Sequence, residues 1–147
     1  MCEQEKSCEK WQNCIFCGII KETSMEYKLA ESQRALAIIS LEGHPIVLTK
    51  NHVDDLNKDD NIESIMGMFE LANLLDSVVR SVYGVDSLNF IQNRGKNAGQ
   101  EINHYHLHII PRKEGDKKLS LKIPVMPDEE RTKLSVAIKT ALSSFIL

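Results

Sequence analysis

The apolar positions of the chain follow two rhythms. Ala35-Leu36-Ala37-Ile38-Ile39 and Pro45-Ile46-Val47-Leu48-Thr49 are short apolar runs around a Gly43-His44 turn, and they read as buried strands. From about Asp60 to Val82, Ile62, Ile65, Met66, Phe69, Ala72, Leu75, Val79 and Val82 recur at steps of three and four. That spacing predicts an amphipathic helix, with Gly84 placed to end it. Leu88-Asn89-Phe90-Ile91-Gln92 alternates as a strand does, and the turn-rich stretch Asn93 to Gln100 follows. Then comes His104-Tyr105-His106-Leu107-His108-Ile109-Ile110, again with a period of two. In a strand the three imidazoles would share one face, and Tyr105, Leu107 and Ile109 the other. Pro127-Asp128-Glu129-Glu130 suits a helix start, and a second helix should run to about Phe145 with Leu134, Ile138 and Leu142 inward. The expected fold is α+β: about five antiparallel strands in a meander, with one central and one C-terminal helix. A flexible leader is expected at 1–13 and a single domain at 14–147.

A length of 147 residues suits one domain with a real core, and the balance of 42% hydrophobic and 27% charged residues is ordinary for a soluble protein. The net charge of -3, with no basic stripe, argues against nucleic-acid or membrane partners. No apolar run is long enough to span a membrane, and the polar start does not resemble a secretory signal. The reading is cytoplasmic. All four cysteines, Cys2, Cys8, Cys14 and Cys17, lie near the N-terminus. In a reducing compartment Cys14-Ile15-Phe16-Cys17 reads as a metal knuckle or a redox pair, or as small apolar residues packed at a chain start.

Three of the five histidines fall on the one short strand. Such a face can be solvated, can hold zinc, or can attack an electrophile. For attack, a neutral imidazole needs its other nitrogen tied to a fixed carbonyl, while flanking imidazoles stabilise charge and protonate a leaving group. The residue types alone leave these three readings open.

The order of motifs resembles the histidine triad (HIT) family. His104-Tyr105-His106-Leu107-His108-Ile109-Ile110 matches its signature, flanked by Ala98-Gly99-Gln100 and Pro111-Arg112. Gly43-His44, Ile46-Val47-Leu48 and Lys50-Asn51-His52 resemble its upstream strand, and Cys14-Ile15-Phe16-Cys17 the start of many bacterial members.

That resemblance implies a nucleotide hydrolase or transferase acting at the α-phosphate of a phosphoramidate, an acyl-adenylate or a dinucleoside polyphosphate. His106 would be the nucleophile and His108 the phosphate ligand and proton source, with His104 and His44 completing the catalytic set. Asn93, Gly99 and Gln100 would sit near the phosphate, the Gly95 to Gly99 loop offering its amides, and Ile38 and Ser40 would face the nucleoside. A structural zinc would be held by Cys14, Cys17, His52 and His104, with no catalytic metal required, and the chain would form a homodimer. A scaffold that keeps the fold but has lost turnover is the other implication. The chain departs from the family pattern at a shortened loop, Ser40-Leu41-Glu42-Gly43-His44, where Ser40 stands for an acidic or amide ribose ligand. Glu101 stands for a Ser or Thr, where its charge repels phosphate unless it points away or pairs with Lys96. Thr49 stands for a proline and is expected to matter little.

Overall fold

The computed structural model describes residues 13–22, 26–54, 61–116 and 124–145. Of the expected leader only Asn13 is described; Cys2, Cys8 and Asp60 lie outside the described residues. In chain order the elements are α1 (Ile15–Lys21), β1 (Lys28–Glu31), β2 (Ala35–Ile39), β3 (Pro45–Thr49), α2 (Ile62–Tyr83), β4 (Ser87–Ile91), a 3-10 turn (Lys96–Ala98), β5 (His106–Arg112) and α3 (Asp128–Phe145).

The five strands form one antiparallel sheet in the order β1-β2-β3-β5-β4. The expected meander holds through β1, β2 and β3. The α2 crossover then carries the chain one position too far, and β5 returns between β3 and β4. Strands β2 and β3 are therefore central and buried on both faces, which accounts for their unbroken apolar runs. One face sets Ala35, Ala37, Ile39, Val47, Leu107 and Ile109 against Met68, Leu71, Leu75, Val78 and Val79 of α2 and Ile138 and Leu142 of α3. Each large side chain fully buried there contributes about 1.5–3 kcal/mol. On the other face Leu36, Ile38, Ile46 and Leu48 pack on Phe16 of α1. Pro111 sits beyond the stretch of β5 that β3 pairs with, where the strand has a single neighbour and a missing N–H costs little.

Helix α2 ends as expected at Gly84, whose φ of 64° is left-handed and whose N–H reaches Arg80 and Ser81 carbonyls. The expected stripe is divided between the core and the surface. Ile62, Met66 and Phe69 are exposed, Met66 at 56%, while Met68, Leu71 and Val78 are buried with Ala72, Leu75 and Val79. The helix is apolar on more than one side, so spacing alone does not fix its phase. Neither α1 nor β1 is announced by its periodicity. The histidine strand also starts later than expected, because Tyr105 donates its N–H to the Val53 carbonyl and pairing on β5 begins at His106.

Candidate active site and metal centre

Strand β5 carries His106 and His108 on the face opposite Leu107 and Ile109, beside Leu48 and Ile46 of β3. His106 Nδ1 lies 2.8 Å from the His104 carbonyl. A carbonyl only accepts, so Nδ1 carries the proton and donates it there, which leaves the Nε2 lone pair free for the cavity. Burial lowers the pKa of His106, outweighing the backbone hydrogen bond and the charge of Glu101, which raise it.

His44 arrives from the end of the β2–β3 loop, and its Nε2 lies 3.0 Å from His108 Nδ1. His44 Nδ1 is buried without a partner. Leaving a lone pair unmet costs less than leaving an N–H unmet, so His44 donates through Nε2 and His108 keeps its Nε2–H. Burial chiefly, and then neighbouring positive charge, hold His44 at about 3 and His108 at about 4, with Glu42 raising His108 slightly. In the unfolded chain both return to about 6.5. Below that pH the unfolded chain binds protons that the folded pair refuses, so stability is whole above pH 6.5 and falls as acid is added, down to about pH 4 for His108 and about pH 3 for His44. The urea midpoint of the wild-type chain should therefore fall more steeply from about pH 7 to about pH 4.5 than that of a His44→Gln, His108→Gln double variant. Parallel curves would count against a neutral buried pair.

The short loop is braced from several sides. Ser40 N–H donates to the His44 carbonyl at 2.9 Å, and Tyr83 Oη–H donates to the Gly43 carbonyl at 2.5 Å. Gly43 has a φ of 82°, and a Cβ there would fall 2.3 Å from the Met126 methyl. The Ser40 hydroxyl is engaged locally, accepting the His44 N–H at 3.3 Å, and the Ser40 carbonyl accepts Arg131 Nε–H at 2.9 Å. Sequence reasoning missed Arg131. Its side chain is 6% exposed, paired with Asp128 at 2.8 Å and set 4.3 Å above the Tyr27 ring. The only local sign was Asp128 three residues before it on a helix.

A cavity of about 630 Å³ opens over this face. Ile15, Phe16, Ile19, Ile38 and Ile46 give it an apolar wall; His44, His106, His108, Asn93 and Gly99 lie at its chemical end. Glu42, Glu101, Ser40, Asp128, Arg131 and Tyr27 also line it. Glu101 is exposed and, among the described residues, forms no ion pair with Lys96. Gln100 is not in the lining; its amide braces the loop, accepting the Gly95 N–H and donating to the Ile102 carbonyl. The amides of Gly95, Ala98, Gly99 and Gln100 are likewise spent inside the loop rather than offered to a phosphate.

His104 is fully buried and does not line the cavity. Its Nε2–H donates to the Thr49 carbonyl at 2.7 Å, which leaves Nδ1 a lone pair aimed at Cys14 Sγ, 3.5 Å, and Cys17 Sγ, 3.6 Å. His104 therefore reaches His106 through its carbonyl, while its ring faces Cys14, Cys17 and His52. Thr49 matters more than expected: besides that carbonyl, its N–H donates to Tyr105, a bond proline could not make. His52 Nδ1 lies 3.3 Å from Cys17 Sγ, and the four ligand atoms are all within 4.8 Å of one another. A tetrahedral ion with bonds of about 2.3 Å to sulfur and about 2.0 Å to nitrogen has S–N edges of roughly 3.5 Å. Cys14, Cys17, His52 and His104 fit that set, and the Thr49 carbonyl orients the His104 ring as an outer partner should.

The model of the HIT domain matches residues 31–115. The chain is 32% identical to the adenylylsulfatase HINT3 of Arabidopsis thaliana over 144 residues, 90% of this chain and 71% of that one. It is 33% identical to the adenosine 5'-monophosphoramidase HNT1 of Saccharomyces cerevisiae over 105 residues, 69% of this chain and 63% of that one. A zinc-bound histidine triad family protein from Mycobacterium smegmatis has a similar structure, with a TM-score of 0.77 at 30% identity, covering 91% of this chain and 96% of that one.

Proposed function

The chain belongs to the HIT domain family, and from that premise and the site geometry we propose a nucleotide hydrolase or transferase acting at the α-phosphate of a nucleoside phosphate derivative. The observation that carries this reading is the His106 Nδ1–H bond to the His104 carbonyl, which presents Nε2 to the cavity. The Nε2 lone pair forms the bond to phosphorus as the bond from phosphorus to the leaving group breaks. The leaving group takes the departing pair and a proton from His108, which holds one once a phosphate anion offsets the burial that keeps it neutral. Water then attacks phosphorus, the pair returns to His106, and the proton of that water restores His108.

Asn93 and Gly99 serve the phosphate end, and Ile38 and Ser40, with Arg131 and Asp128 behind them, the nucleoside. The substrate is a phosphoramidate, an acyl-adenylate or a dinucleoside polyphosphate. Cys14, Cys17, His52 and His104 would hold a structural zinc, which ties α1 to β5 and takes no part in the steps above. Thiols kept for metal suit a cytoplasmic location. The exposed ridge Ile62, Met66 and Phe69 suits a second copy of the chain as partner, and the core shared by the sheet, α2 and α3 supports reading 14–147 as one domain.

The acidic lining at Glu101 favours one rival, a nucleotide-binding scaffold with weak turnover. Turnover of adenosine 5'-phosphoramidate, acetyl adenylate and diadenosine triphosphate separates the two. The enzyme reading expects AMP release from at least one of them, at more than about 100-fold the uncatalysed rate. AMP binding without release from any would establish the scaffold.

A further inference from the structure

Phe16 is where the thiol–imidazole cluster meets the pocket of His106. It stands between Cys14 and Cys17 in sequence and is 5% exposed. Its ring meets His104 at 5.8 Å between centroids and 89°, and His106 at 4.9 Å and 69°. Helix α1, which carries it, has seven residues and no side-chain cap at Cys14. So short a helix does not hold its own shape, and its position must come from tertiary contacts. The most buried of those contacts are the Phe16 side chain on Leu36, Ile38, Ile46 and Leu48 and the two sulfurs beside His104, with Ile19 and Ile20 partly buried against the same core.

We propose that Phe16 is a positioning residue for His106, and that the metal held by Cys14, Cys17, His52 and His104 sets where Phe16 stands. The proposal rests on the nucleophilic role of His106 argued above. Two paths run from the cluster to that imidazole. The His104 carbonyl, on the residue whose ring faces the sulfurs, takes the Nδ1–H at 2.8 Å; the Phe16 ring flanks the same imidazole and limits its rotation. Bonding of Nε2 to phosphorus while Nδ1 keeps its proton makes the ring an imidazolium. The edge contact of the Phe16 ring holds the imidazole in the orientation that attack needs, so Phe16 acts on the step that forms the adduct more than on binding. Its removal should lower kcat, whereas loss of a mere apolar wall would raise KM.

The experiment compares Phe16→Leu with Phe16→Tyr in the metal-loaded protein, on whichever nucleotide substrate the wild type turns over. Phe16→Leu should lower kcat roughly tenfold with KM within about twofold, and Phe16→Tyr, which keeps the ring, should recover most of that loss in kcat. Metal content should be unchanged in both. Independently of activity, the imidazole nitrogen NMR spectrum, with His106 assigned by its loss in His106→Asn, should show the Nδ1–H tautomer in loaded protein. Stripping the metal should replace that signal by exchanging tautomers, and added zinc should restore it. A rise in KM with kcat unmoved, or a His106 spectrum indifferent to metal, would overturn the proposal. Absence of wild-type turnover would instead overturn the enzyme reading, and the spectrum would still decide the coupling.

Discussion

His106→Asn should abolish turnover, by about 10⁴-fold or more in kcat, while leaving AMP affinity within a few-fold of wild type. Asparagine is the informative replacement. His106 is buried and its Nδ1–H satisfies the His104 carbonyl, so alanine would strand that acceptor and cost stability as well as chemistry. The amide N–H of asparagine can reach the same carbonyl, but asparagine has no nucleophilic nitrogen to offer phosphorus. The residual rate then measures what His108, His44 and binding achieve with water as the attacking group. A covalent adduct gives a second readout. Rapid quenching in alkali, where a phosphorus–nitrogen bond survives, should leave a nucleotidyl group on the peptide carrying His106, and acid should release it. A His106→Asn protein that turns over within tenfold of wild type would end the nucleophile reading, whatever the adduct assay shows.

The parts of this site that can be read from the chain are those set by local periodicity. A period of two puts His106 and His108 on one face and Leu107 and Ile109 on the other, and antiparallel register then places them beside Ile46 and Leu48. The pairing of Cys14 and Cys17 with His52 and His104 came through family resemblance, because the sequence separation of 87 residues between Cys17 and His104 has no local signature. Arg131 escaped for the same reason. On α3 it reads as one more charge of a solvated face, and distant partners, the Ser40 carbonyl 91 residues away and the Tyr27 ring, make it a buried residue of the cavity. Strand β1, Lys28–Glu31, is a polar edge with a single buried side chain, so its pairing with β2 defines it more than its own sequence does. The face that α2 buries is not legible for a different reason: Ile62, Met66 and Phe69 make as good a stripe as Ser64, Met68 and Leu71, and the sheet chooses between them.

Removing the metal should cost at least about 4 kcal/mol, seen as a fall in Tm of roughly 10 °C, without unfolding the sheet. The larger core, on the α2 and α3 face, contains none of the four ligands and no residue of α1, so it has no reason to fail with them. The smaller core does: Phe16 is its buried contribution from α1, Ile19 and Ile20 add only partly buried contacts, and the two thiolates flanking Phe16 are the remaining anchor of that seven-residue helix. Calorimetry on protein stripped under denaturant and refolded, with and without zinc, should show one equivalent of zinc restoring the higher Tm. A Cys14→Ser, Cys17→Ser double variant should melt at the lower temperature and gain nothing from zinc. Hydrogen exchange should localise the loss to 15–21 and the residues around His104, with α2 amides still protected. Loss of protection throughout α2 would mean that the ion supports the whole domain rather than one edge of the cavity. A double variant that melts with the wild type would instead mean that the cluster holds no ion in solution, since four ligand atoms this close stabilise the fold only through what they bind.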